Sequence, residues 1–98
     1  MPRPVINELL WSDWTDDHVE EHIPIDWVEA TVYEQRFLVF ENTEGHPPRW
    51  IRLIGQAAAN CPIISIILAP TDVPDVWWVV TAFNELSQYD KDRYRNAQ

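Results

Sequence analysis

Residues 61–82 read CPIISIILAPTDVPDVWWVVTA. Two apolar runs, 63–68 and 77–81, flank a turn-rich segment holding two prolines and two aspartates. Isoleucine, valine and tryptophan dominate both runs, and their restricted χ1 freedom suits a pleated, buried surface. Neither run alternates apolar with polar residues, so both read as strands covered on both faces or nearly so. The stretch predicts a central antiparallel hairpin against which the rest of the chain packs.

At 98 residues the chain reads as a single domain, 1–98, because two halves would each be too small to hold a core. Hydrophobic residues make up 46%, enough for a packed fold rather than a disordered one. Six tryptophans can supply much of that core, with some left half-exposed at a partner surface. Cys61 is the one cysteine, which excludes an internal disulfide and fits a reducing compartment. The N-terminus lacks signal-peptide order and no apolar run approaches the ~20 residues of a membrane span, so a cytoplasmic protein without membrane contact is expected. The formal net charge of −9, from 16 acidic and 7 basic residues, disfavours sequence-independent binding to nucleic acid. A basic protein partner suits it better, and self-association stays open.

Outward from the hairpin, residues 1–10 carry two prolines and read as a flexible extension or a short edge strand. Thr15 reads as an N-cap for a helix over 16–22 that ends at Pro24. Asp26 caps a second helix over 27–33, and FLVF at 37–40 reads as a strand. ENTEGHPP at 41–48 is a loop by composition. RWIRLIGQ at 49–56 alternates, with Trp50, Arg52 and Ile54 pointing one way and Ile51 and Leu53 the other. A C-terminal helix is expected over 84–96, where Ser87 and Asp90 resemble a capping box and Leu86, Tyr89 and Arg93 share a face apart from Tyr94. The fold class is α+β: two short N-terminal helices, an antiparallel sheet of about four strands, and a final helix, with helices segregated to one face.

Isolated motifs carry little chemistry. His18-Val19-Glu20-Glu21-His22 matches H-x-x-E-H formally, but a two-turn helix in so short a chain lacks the third ligand and cleft of a protease. The pair reads as part of an acidic, solvated helix face, and no metal or cofactor is expected. Cys61, with no basic neighbour in sequence, reads as a buried structural thiol. With two glycines in the chain, a Gly-rich phosphate loop is excluded.

The order of motifs says more. WSDW at 11–14, His22, Val28-Glu29-Ala30, Arg49 to Gly55, Val79-Val80-Thr81-Ala82 and Ser87-x-x-Asp90-x-x-x-Tyr94 follow one another across residues 11–95. This arrangement resembles the BrnT-type toxins of bacterial type II toxin–antitoxin modules, within the RelE-like ribonuclease superfamily. The resemblance implies metal-independent RNA cleavage, held in check by a basic or DNA-binding antitoxin. Such chemistry needs a base for the ribose 2′-OH and cations for the scissile phosphate. Carried over by position, Arg52 and Tyr94 become the candidate catalytic residues, and Arg49 and Arg93 the candidate substrate contacts. Arginine suits the phosphate because its planar fork bonds two oxygens at once. Without the resemblance, Arg52 reads as a solvent-facing strand residue.

Two departures weaken the enzymatic expectation. Phe83 stands where similar toxins carry an arginine, and Asp90 and Asp92 interrupt the basic character of the last helix. Losing one phosphate-contacting arginine costs about 2–4 kcal/mol of transition-state stabilisation. Two functions therefore compete: a ribonuclease toxin, weakened in activity, and a non-catalytic protein-binding module on the same fold.

Overall fold

Five strands and three helices follow one another along residues 4–40 and 49–97, which this computed structural model describes apart from the side chains of 13, 14 and 16. In chain order they are β1 (Glu8–Leu10), α1 (Asp13–Glu20), α2 (Ile25–Tyr33), β2 (Phe37–Phe40), β3 (Ile51–Gly55), β4 (Ile64–Pro70), β5 (Val76–Phe83) and α3 (Gln88–Asn96). The α+β class and the two N-terminal helices are as the sequence implies. The expected loop at 41–48 lies outside the described residues.

The sheet runs β1-β5-β4-β3-β2, and β4 and β5 form the antiparallel hairpin read from residues 61–82. Residues 64–68 of β4 are all buried, as an uninterrupted apolar run requires. β5 is covered less completely: Trp78 remains 43% exposed. Its register slips by one residue between Ile67–Thr81 and Leu68–Val79, which leaves Val80 as a bulge. The slip explains why WWVVTA does not alternate. Trp77, Val79 and Ala82 all reach the same core, at spacings of two and then three.

Two expectations about layering are corrected. The sheet is mixed, because the N-terminal segment adds β1 as an edge strand parallel to β5, with Leu9 opposite Trp77. The segment is firmly tied down. The Asn7 backbone N–H donates to the Asp75 carbonyl at 2.8 Å, and Trp77 Nε1 donates to the Val5 carbonyl at 3.1 Å. The helices also occupy both faces of the sheet rather than one. Val19, Ile23, Val28 and Val32 of the α1–α2 region pack on Leu53, Ile64, Ile66 and Leu68. Tyr94 of α3 packs on the opposite face, with Phe40, Ile54 and Ile63. A strand as apolar as β4 has no face to give to water, so it needs both covers.

Helix boundaries shift toward better caps. α1 starts at Asp13 because Ser12 is its N-cap: Ser12 Oγ accepts from the Thr15 N–H at 3.1 Å and donates to Thr15 Oγ1 at 2.8 Å. α2 begins at Ile25, which leaves Asp26 in its first turn beside the positive end of the dipole. α3 begins at Gln88, later than expected, because Ser87 caps it through the Asp90 N–H at 3.1 Å.

Two backbone positions join α2 to the sheet. Gln35 has φ 56°, and the Gln35 and Arg36 N–H groups return to the Val32 and Thr31 carbonyls. This is a Schellman stop with glutamine where glycine is usual. Gly55 then lies against that stop. A Cβ there would stand 2.7 Å from Thr31 Cγ2 and 2.9 Å from Phe37 Cα, and closer still to the Arg36 carbonyl oxygen. Gly55→Ala is expected to lower stability by about 3 kcal/mol or more, since backbone atoms cannot yield. Gln35→Gly is expected to raise it by about 1 kcal/mol by relieving the left-handed conformation. Urea unfolding of the two variants measures both.

Candidate functional site

Alternation along β3 puts Arg52 and Ile54 on the α3 side of the sheet and Leu53 on the other. Arg52 is therefore not solvent-facing; it is 7% exposed. Ser65, diagonal to it across the β3–β4 ladder, accepts from Arg52 Nε at 3.1 Å. Arg52 Nη2 reaches Asp90 Oδ2 of α3 at 3.0 Å, an ion pair with both side chains largely buried. Asp90 thus completes only half of a capping box. Its N–H bonds Ser87, while its carboxylate turns inward to Arg52.

Tyr94 lies four residues beyond Asp90 and is 2% exposed, on the same inner face of α3. Its hydroxyl makes a long contact of 3.5 Å to the Arg36 carbonyl. Arg52 and Tyr94 therefore meet on one side of the sheet, but beneath α3 rather than in an open cleft. Leu86, Tyr89 and Arg93 do not share a face: Leu86 precedes α3 and packs on the Tyr94 cluster, whereas Tyr89 is 69% exposed. Arg93 is exposed and places its guanidinium 4.7 Å from the Phe40 ring centroid and 5.5 Å from that of Tyr89. Arg49 is exposed at the turn before β3.

A different group of side chains lines an open cleft of about 440 Å³ between α3 and the β3–β4 connection. Lys91 and Arg95 approach from α3 at i and i+4, with Asn84 from the exit of β5 and Gln56, Asn60 and Cys61 from the connection. Among the described residues no carboxylate lines it. Cys61 is half-exposed here rather than buried, and its thiol lies 3.9 Å from Asn60 Oδ1. Gln56 Nε2 donates to the Cys61 carbonyl at 2.8 Å, which fixes the amide. Sequence reasoning passed over this cleft. Its one local sign is the i, i+4 spacing of Lys91 and Arg95; what faces them comes from 30 or so positions upstream.

Of the two histidines of the H-x-x-E-H stretch, His18 lies in the last turn of α1 and His22 just beyond it, edge to face with ring centroids 5.8 Å apart. Among the described residues no group of three or more His, Cys, Asp or Glu side chains is placed to hold a metal ion. Nor is any described helix long and apolar enough to cross a membrane. Comparison with protein-family models, curated proteins and solved structures gives no match for this chain.

The Arg52–Asp90 pair makes a stability prediction. Arg52→Ala or Asp90→Ala leaves a buried charge without its partner and is expected to cost about 3–5 kcal/mol. Arg52→Met combined with Asp90→Leu removes both charges and is expected to stay within about 1 kcal/mol of wild type. Urea denaturation of the three variants separates an ion pair from generic packing.

Proposed function

We propose that this chain is a divergent BrnT-type toxin-fold protein that acts by binding a protein partner, a cognate antitoxin, rather than by Arg52-centred cleavage of RNA. The Arg52–Asp90 ion pair carries the reading. A cation that holds a scissile phosphate must present its donors to an incoming anion. Arg52 instead spends Nε on Ser65 and Nη2 on Asp90 beneath α3. Exchanging Asp90 for a phosphate would mean lifting α3 from the sheet and burying a carboxylate elsewhere without a partner.

The acidic surface supports a basic partner. Asp17, Glu20, Glu21, Asp26 and Glu34 are all exposed on or beside α1 and α2. Trp78 adds an exposed aromatic on the sheet face beyond α3, with Leu10 and Ala69 opposite it on the neighbouring strands. Aromatic anchors rimmed by charge are common at protein interfaces. A reducing cytoplasm is the compartment this reading implies. RNA cleavage keeps one observation in its favour: Arg49 and Arg93 are both exposed and able to meet phosphate.

Inducible expression in bacteria, with co-purification of the neighbouring gene's product, tests the proposal. Wild type is expected to leave growth unaffected and to retain a small basic protein encoded next to it. Growth arrest by wild type, lost in the Arg52→Met/Asp90→Leu variant, would sink the binding reading. A gene without a basic neighbour would sink it as well.

A further inference from the structure

We infer that the cleft between α3 and the β3–β4 connection is a binding site for a small phosphate monoester of mononucleotide size. Charge is the first argument. The chain carries 7 basic residues against 16 acidic ones, yet Lys91 and Arg95 both line this cleft and, among the described residues, no carboxylate does. Among the described residues neither has an ion-pair partner, whereas Arg52 on the same side of the sheet does. Asp90 and Asp92 alternate with these cations in sequence but are engaged elsewhere, Asp90 with Arg52 and Asp92 with Gln88. A locally positive, concave site on a negative molecule selects anions by field focusing. Two cations one helical turn apart suit the several oxygens of a phosphate dianion, with Arg95 able to bond two of them.

The remaining lining gives the site its size and selectivity. Asn60 and Asn84 each present a carboxamide, which can both donate and accept. The Gln56 amide nitrogen is held by the Cys61 carbonyl, so its oxygen is the acceptor left over. Such a set matches the mixed donor–acceptor edge of a nucleobase better than it matches a bare inorganic anion. The volume of about 440 Å³ falls within the range of sites for small organic ligands. The walls are also fixed to the fold. Gln56 continues from β3 with its N–H on the Arg36 carbonyl at 3.1 Å, and the Cys61 N–H closes a turn onto Ala58 at 3.0 Å. This site is separate from Arg52 and does not depend on the antitoxin reading.

Isothermal titration calorimetry at physiological salt, on the full chain, tests the assignment. The probes are the four ribonucleoside 5′-monophosphates, their uncharged nucleosides, inorganic phosphate and a short oligoribonucleotide. At least one monophosphate is expected to bind more than tenfold tighter than its nucleoside and than inorganic phosphate. Lys91→Gln/Arg95→Gln is expected to weaken that binding at least tenfold. Arg36→Gln removes the charge of an exposed arginine outside the cleft and is expected to change it less than twofold. If the double variant melts early, Arg95→Gln alone, near the end of α3, is expected to lose about fivefold. The assignment is overturned if no monophosphate binds, if nucleoside and monophosphate bind alike, or if folded cleft variants bind as wild type does. An oligoribonucleotide that binds tighter than every monophosphate would also overturn it, by making the cleft part of an RNA surface.

Discussion

A guanidinium placed under a helix must recover what it loses in water, and Arg52 recovers it from Asp90 and Ser65. Much else depends on that bond. α3 is a polar helix with Tyr94 as its buried residue, so apolar contact alone gives it a weak hold on the sheet. The ion pair and Tyr94 are one helical turn apart, and together they fix both the position and the rotation of the helix. With α3 in place, Ile54 and Ile63 are covered and β4 is buried on its second face. The cleft exists for the same reason, since one of its walls is the side of α3 that Asp90 does not use.

Nine residues of α3 thus separate four kinds of charge by direction. Asp90 faces inward to Arg52; Lys91 and Arg95 face the cleft; Arg93 lies over aromatic rings; Asp92 pairs with Gln88 at 2.8 Å. In sequence these alternating signs look like cancellation. On the helix they become one buried link, one local positive field and a solvated remainder. Net charge describes the molecule at a distance and says little about any one of its faces.

The legible parts of the chain are those whose information is local. The β4–β5 hairpin and β2 follow from apolar runs, and α2 from its packing residues between Pro24 and the polar stretch after Tyr33. The alternation of RWIRLIGQ gives the correct faces, with Arg52 beside Ile54. What covers that face was hidden, because Asp90 is 38 positions away and reads more naturally as a cap. The side on which α3 packs was hidden too. With so few apolar residues, the exposed Tyr89 draws the expected face away from Tyr94. The parallel pairing of β1 leaves no mark in its own three residues. The cleft depends on a helix and a connection whose sequences never refer to each other. Sites assembled from separated segments are least visible in a single sequence, whereas strands declare themselves.

The parallel edge strand has a consequence for how the protein comes into being. Asn7 and Asp75, which bond side chain to side chain at 2.6 Å, are 68 positions apart, and among the described strands β1 pairs with β5 alone. Closing so long a loop gives no return until the meander is already built. Within this sheet, β1 precedes every other strand in the chain and is the last to be paired. Until then Leu9 and the edge of β5, with Trp77 on it, stay open to other chains. In a crowded cell, the interval before β1 closes on β5 is the one in which a companion protein has most to offer.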